Sequence, residues 1–312
     1  MLKLKNLIEN DETAEKLIAN YGFKDMRYGF FRSSSNVVYW VKGDGKIYFL
    51  RYTTEDERKP ESILAEIDYI NYLRNHGINV NKPVKTKSGQ YLIRDNGILA
   101  VLFERVEGKP LEDIELIPEI CREWGRQLGK IHKLSDSYNA DMKRPGYKEV
   151  FKFIHPMLDE DLIGKAHLLE ESLDKLPKIS QNYGLCHYDF EMDNVYYNEE
   201  NGEFAVIDFD DSMYNFYAID IMQVLMNIEE DIPHESQIWA KEEFKKGYEE
   251  YKVLPDKEEM NLASKFILLN GYAKIAYCLS YPPVDEPDWM EELIVKLEGI
   301  QRDKKHMLDE IK

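Results

Sequence analysis

Two short apolar runs stand close together near the start of the chain, residues 36–42 (NVVYWVK) and 46–52 (KIYFLRY), joined by Gly43-Asp44-Gly45. β-Branched and aromatic residues on either side of a glycine-rich turn predict a β-hairpin. Beyond Pro60, which suits the first turn of a helix, Ile63, Ile67, Ile70 and Leu73 recur at helical spacing as far as Gly77. An amphipathic helix is expected there. Two further strands, 90–94 and 98–103, flank Asp95-Asn96-Gly97, a strong turn signal. The first hundred residues therefore read β-β-α-β-β. After a linker-like stretch at 104–110 the period becomes helical, with Ile120, Trp124, Leu128 and Ile131 on one face of a helix expected over 116–133. Short strands return at 195–197 and 204–209, around a turn at 198–202. From Ala218 to Lys312 the spacing predicts four helices, interrupted around Pro233, Pro255 and Tyr281-Pro282-Pro283. The change of texture near residue 105 sets the expected division, an N-terminal lobe of 1–105 and a C-terminal lobe of 106–312.

Charge narrows the set of partners. Of 312 residues, 41 are Lys or Arg and 59 Asp or Glu, a formal net charge of −18, so neither a nucleic acid nor an anionic membrane surface is expected to bind. The longest informative apolar run, 98–103, has strand length and falls far short of the roughly 18 residues that span a bilayer. Lys3 and Lys5 lead into Glu9, Asp11 and Glu12 with no apolar signal core between them, and a cytoplasmic protein is the expectation. Cys121, Cys186 and Cys278 are far apart and odd in number, a pattern of buried thiols rather than disulfides or a metal site.

Candidate chemistry concentrates in Gly184-Leu-Cys-His187-Tyr-Asp189-Phe-Glu-Met-Asp193-Asn194, followed by Ala205-Val-Ile-Asp208-Phe-Asp210-Asp211. Both stretches adjoin predicted strands. A carboxylate that closes an apolar strand, as Asp208 does after Val206 and Ile207, is costly to desolvate unless a cation or donor meets it. Asn194 and Asp208 together offer hard oxygen donors suited to Mg²⁺, and they leave most of its shell to phosphate oxygens and water. Glu66, on the buried face of the 60–77 helix, likewise demands a cation.

The spacing His187-x-Asp189-x4-Asn194, then Asp208-Phe209-Asp210 after a short hairpin, resembles the aminoglycoside phosphotransferase and choline kinase family over roughly residues 20–230. That resemblance implies an α+β, two-lobed protein-kinase-like fold, with a small, mainly antiparallel β lobe carrying one helix and a larger, mostly helical second lobe. Asp189 would be the catalytic base, Asn194 and Asp208 would hold Mg²⁺ on ATP, and His187 would brace their loop. Arg51, where the family more usually has lysine, would bridge Glu66 to the nucleotide phosphates; an inter-element salt bridge is the alternative. Ser34 and Ser35 would stand in for a glycine-rich phosphate-covering loop, and Glu104 to Val106 would read adenine through the backbone. Asp210, Asp211 and Asp193 either reach a second cation or serve as solvated or capping carboxylates. Asp220 reads as a helix cap or a brace for the catalytic loop. His132 and His155 show no ligand spacing and are expected in surface or packing roles.

The implied activity is ATP-dependent transfer of the γ-phosphoryl group to a hydroxyl of a small molecule. Acidic residues at 229–231, 242–243 and 249–250 either steer a cationic acceptor, such as an aminoglycoside, an amino alcohol or homoserine, or form solvated helix faces. Tyr272, Tyr277, Tyr281 and Trp289 line an acceptor pocket or belong to the core. Two other readings remain open at this level: a protein Ser/Thr kinase of the stress-response type, although no long activation segment follows Asp208, and a nucleotide-binding pseudokinase, suggested by Arg51 and the glycine-free loop.

Overall fold

A computed structural model describes residue 3 and residues 10–139, 144–281 and 288–310. Helix α1 (Asp11–Ile18) precedes strands β1 (Arg27–Ser33), β2 (Val37–Gly43) and β3 (Lys46–Thr54), and helix α2 (Pro60–Asn75) leads on to β4 (Pro83–Val84), β5 (Ile93–Asp95) and β6 (Ile98–Glu104). The sheet is antiparallel in the order β1-β2-β3-β6-β4, with β5 also paired to β6. Both predicted hairpins are present. Their tight turns place Asp44-Gly45 and Asn96-Gly97 at positive φ, where the backbone twist matches the flanking strands. The α2 face bearing Ile63, Ile67, Ile70 and Leu73 is buried, and it carries Glu66 inward with it.

In the first hundred residues three elements escaped the sequence pattern, as did strands Lys109–Pro110, Tyr183–Cys186 and Met213–Phe216 and helices Tyr147–Ile154 and Glu160–Lys175 further on. Strand β1 is an exposed edge without alternation of burial, α1 is a short helix contributing only Ala14, Leu17 and Ile18 to the core, and β4 spans two residues. The strand expected at 90–94 starts later, as β5. The fold nonetheless has the expected two-lobed form, with an antiparallel sheet followed by a helical region.

That helical region follows the short strand β7 (Lys109–Pro110) and contains α3 (Pro118–Ser135), α4 (Tyr147–Ile154), a 3-10 turn (His155–Met157) and α5 (Glu160–Lys175). Next come β8 (Tyr183–Cys186), β9 (Val195–Tyr197), β10 (Phe204–Val206) and β11 (Met213–Phe216). The chain continues with α6 (Ala218–Asp231), α7 (His234–Glu249), α8 (Lys257–Leu279) and α9 (Asp288–Glu310). The four C-terminal helices match expectation; the break expected at Pro282-Pro283 lies outside the described residues. Helices α3 and α7 cross with their backbones in contact, because a Cβ on Gly125 would lie 1.9 Å from Phe244 O and one on Gly247 would lie 1.8 Å from Arg122 O. Strands β8 and β11 pair with each other, and β7, β9 and β10 form a third small sheet. These two ribbons frame the loop that carries the candidate chemistry. All three cysteines are buried free thiols. Among the described residues no helix is long and apolar enough to cross a membrane.

Candidate active site

The polar loop leaves β8 at Cys186 and enters β9 at Val195, so both ends are anchored in sheet. Within it Tyr188 adopts φ 61°, and after β10 Asp208 adopts φ 64°. Such left-handed conformations cost non-glycine residues of order 1–3 kcal/mol and persist only where surrounding bonds impose them. The turn at Asp208 is also why β10 stops at Val206, short of the 204–209 expected. Asp220, fully buried in the first turn of α6, accepts hydrogen bonds from the His187 amide at 2.7 Å and the Tyr188 amide at 2.8 Å. It therefore braces the loop. His132 completes the support from α3: its Nε2 lies 2.9 Å from Asp220 Oδ2, its Nδ1 lies 2.9 Å from Tyr248 Oη, and its ring stacks on Tyr217. Burial holds the His132 pKa down, so the neutral ring donates to Asp220 and accepts from the tyrosine. This is a buried polar role, neither surface nor simple packing.

His187 is buried, and its Nε2 donates to Ile207 O at 2.9 Å, tying the loop to the end of β10. Burial lowers its pKa to about 4, so it stays neutral near pH 7. Asp189 accepts from Asn194 Nδ2 at 2.9 Å, and the same amide nitrogen also reaches Asp189 O at 3.1 Å. Burial, followed by the charges of Glu191, Asp208, Asp211 and Asp193, holds the Asp189 carboxyl well above the usual range. Asn194 is 1 % exposed, yet its Oδ1 has no hydrogen-bond partner. Asp208 lies 3.3 Å from Arg32 and 3.6 Å from Arg51. Burial pushes its carboxyl to about 6; Arg51 pulls it down while Asp210 and Glu66 push it further up.

Arg51 donates to Glu66 at 2.6 Å, the pair that the burial of Glu66 demanded. Its guanidinium also lies over the Phe103 ring. Desolvation opposes the charge of Arg51, but Glu66, Asp210 and Asp208 outweigh it and raise the pKa. Asp210 accepts from Asn36 Nδ2 at 2.8 Å and from Arg58 at 2.5 Å, while Asp211 meets Arg58 at 3.0 Å and Lys274 at 2.5 Å. Both carboxylates therefore meet side chains of the protein rather than standing as solvated groups.

A cavity of about 580 Å³ opens between the sheet and this loop, with Arg32, Arg51, Phe103, Glu104, Val106 and Asp208 in its wall. Ser34 and Ser35 are absent from that wall. They form the β1–β2 turn, where the Ser34 amide donates to Asn36 O, and the residue that this hairpin presents to the cavity next to Asp208 is Arg32. The Glu104 amide is bonded to Lys82 O at 2.8 Å. Val106 donates its amide to no backbone carbonyl among the described residues.

The model of the phosphotransferase enzyme family matches residues 30–260, well over half of the chain. The chain belongs to this family. The amicoumacin kinase of Bacillus subtilis (strain 168) is 28 % identical over 96 % of this chain and 93 % of its own length. In fold, the chain is similar to an amicoumacin kinase solved with AMP-PNP, Ca²⁺ and Ami, with TM-score 0.77 and 23 % identity over 95 % of this chain and 94 % of that one. It is also similar to a microcompartment-associated aminopropanol kinase, with TM-score 0.69, 18 % identity and 95 % of each chain covered. As a member of the phosphotransferase enzyme family, the protein is a small-molecule kinase that transfers a phosphoryl group to a hydroxyl.

For this family member, sequence reasoning passed over Arg32, Arg58 and Arg144. Arg58 and Arg144 meet Asp210 from 152 and 66 residues away, and no local pattern signals such pairings. They also border a second cavity, of about 220 Å³, together with Glu149, Asp211, Asn270 and Lys274. Asn270 donates to Tyr188 Oη at 2.6 Å, and its own Oδ1 is buried without a partner. Glu243 and Glu250 pair with Arg122 and Arg126 on the α3–α7 surface, so that acidic stretch is a salt-bridged helix face. Tyr272 bonds Asp159 at 2.7 Å and Tyr277 bonds Glu57 at 3.1 Å; Trp289 is exposed. None of these three borders either cavity.

Proposed function

We propose that the protein transfers the γ-phosphoryl group of ATP to a hydroxyl of a small cationic molecule of the amino-alcohol or aminoglycoside type, with Asp189 as the base. The observation that carries this reading is the buried, unpaired Asn194 Oδ1, on a residue whose amide nitrogen donates to Asp189 and whose backbone carbonyl accepts from Ile207, next to Asp208. An oxygen desolvated without a partner is stabilised by a cation. Asn194 Oδ1 and the Asp208 carboxylate fit Mg²⁺, which when bound neutralises charge on the nucleotide phosphates. Arg51, held by Glu66, and Arg32 add positive charge beside Asp208, and the backbone at Glu104 and Val106, which line the same cavity, would read the adenine. The nucleotide would lie between the lobes of 1–105 and 106–312. Asp189 would orient the acceptor hydroxyl and take its proton, with positioning supplying most of the rate gain.

A cationic acceptor is supported by the carboxylates crowded beside Asp189. Burial and then the charges of Asp193 and Glu230 push the Glu191 carboxyl to about 7, and Asp231 adds to the effect. Burial first, and the neighbouring carboxylates after it, disfavour the charged forms of Asp189 and Glu191, and a bound amine relieves that cost. The test is transfer from ATP to amicoumacin, amino alcohols, homoserine and aminoglycosides, by wild type and by Asp189→Asn. The variant is expected to lose at least about 10²-fold in kcat while still binding AMP-PNP. Wild-type turnover in Asp189→Asn overturns the assignment of Asp189.

A further inference from the structure

Away from the kinase cleft, His155, His167 and Glu170 bring three donor groups together, all within 4.8 Å of one another. His155 opens the 3-10 turn that ends α4, whereas His167 and Glu170 stand three residues apart on α5 and so share a face. The imidazole rings are 4.5 Å apart between centroids. His155 Nε2 is buried and has no hydrogen-bond partner; it lies 3.9 Å from Glu170 Oε2, too far for a hydrogen bond. Packing alone leaves that nitrogen desolvated and unpaired, which is unfavourable.

The gap suits an ion. Donors bound to a tetrahedral Zn²⁺ at about 2.0–2.2 Å stand about 3.3 Å apart, so closing the His155–Glu170 separation takes a movement of about half an ångström. Two imidazoles and one carboxylate match Zn²⁺ and its transition-metal neighbours. They are too few oxygens for Mg²⁺ or Ca²⁺, and they include no thiolate. We propose that His155, His167 and Glu170 form a Zn²⁺ site, with the fourth position open to water on the exposed side of His167. Sequence spacing could not reveal it, because His155 belongs to a different element from the other two. Such an ion clamps the end of α4 to α5, and α4 also carries Glu149, Val150 and Phe153 in the wall of the second cavity.

The test is calorimetric titration of the full chain with Zn²⁺ against a competing chelator, for wild type, His167→Ala, His155→Asn and Glu170→Gln. One equivalent is expected to bind wild type with micromolar or tighter affinity, weakened at least about tenfold in each histidine variant. Co²⁺ should give a visible ligand-field band in wild type that His167→Ala lacks. Zn²⁺ should also raise the melting temperature of wild type more than that of His167→Ala. His167 is exposed, so its replacement leaves the fold intact and keeps the comparison clean. Full affinity in His167→Ala and His155→Asn, which would move the zinc to other groups, overturns the proposal. So does the absence of binding to folded wild type.

Discussion

Asp208 is the residue on which opposing charges meet most directly. Arg32 and Arg51 both lie within 4.0 Å of its carboxylate, yet burial with Asp210 and Glu66 nearby still holds its pKa up near 6. The two arginines differ in freedom. Arg51 is locked by Glu66 and the Phe103 ring, whereas the Arg32 side chain is 42 % exposed and sits on an edge hairpin. If Asp208 holds the metal as proposed, Arg32 is the cation free to leave it and turn to phosphate instead. Two effects of opposite sign follow for Arg32→Ala. AMP-PNP with Mg²⁺ is expected to bind about tenfold more weakly, the scale of one charge-assisted hydrogen bond. Mn²⁺ alone is expected to bind at least as tightly as to wild type, because a competitor for Asp208 has gone. Calorimetry with each ligand reads both signs; unchanged AMP-PNP affinity removes Arg32 from the phosphate site.

At the scale of elements, the chemistry depends on how closely its supports pack. Asp220 on α6 and His132 on α3 hold the catalytic loop, and α3 is seated on α7 through glycines whose backbones touch. Gly125→Ala or Gly247→Ala drives a methyl group into a carbonyl of the partner helix. Each is expected to lower stability by about 1–3 kcal/mol and to shift the urea midpoint, even though alanine is the better intrinsic helix former. A neutral or stabilising result would mean that the two helices separate at no cost. What was legible in the sequence follows the same division between local and distant. The Asp44-Gly45 and Asn96-Gly97 turns, the buried face of α2 with Glu66, and the spacing from His187 to Asn194 are local patterns, and the structure keeps all of them. Strand β1 was hidden because an exposed edge has no alternation to show. The partners of Asp210 were hidden because Arg58, Arg144 and Asn36 reach it from remote positions that only the folded chain unites. Arg32 stands two residues before Ser34, in the same hairpin as the two serines expected to cover phosphate, yet it is Arg32 and not they that lines the cavity.

Over the whole molecule, the net charge of −18 has a direction as well as a size. Glu191 and Asp193 act on Asp189, and Glu230 and Asp231 on Glu191 in turn, while Arg32, Arg51, Arg105 and Lys109 line the larger cavity, with Asp193 also in its wall. On the proposed reading, an acceptor arriving at Asp189 meets the carboxylates of Glu191 and Asp193, and the phosphates meet Arg32 and Arg51. Long-range attraction of this kind speeds encounter with a cation and is screened within about 8–10 Å at ordinary ionic strength. If the acceptor is cationic, its kcat/KM should fall as NaCl rises from low to near-molar concentration, with most of the loss in KM and little in kcat. An uncharged alcohol turned over by the same enzyme should show a much flatter dependence, with ATP and Mg²⁺ kept saturating in both series. Steady-state kinetics for an amino alcohol and its deaminated counterpart supplies the comparison. Equal salt dependence for the two would show that the carboxylates beside Asp189 do not recruit the acceptor, and would reduce their role to positioning within the loop.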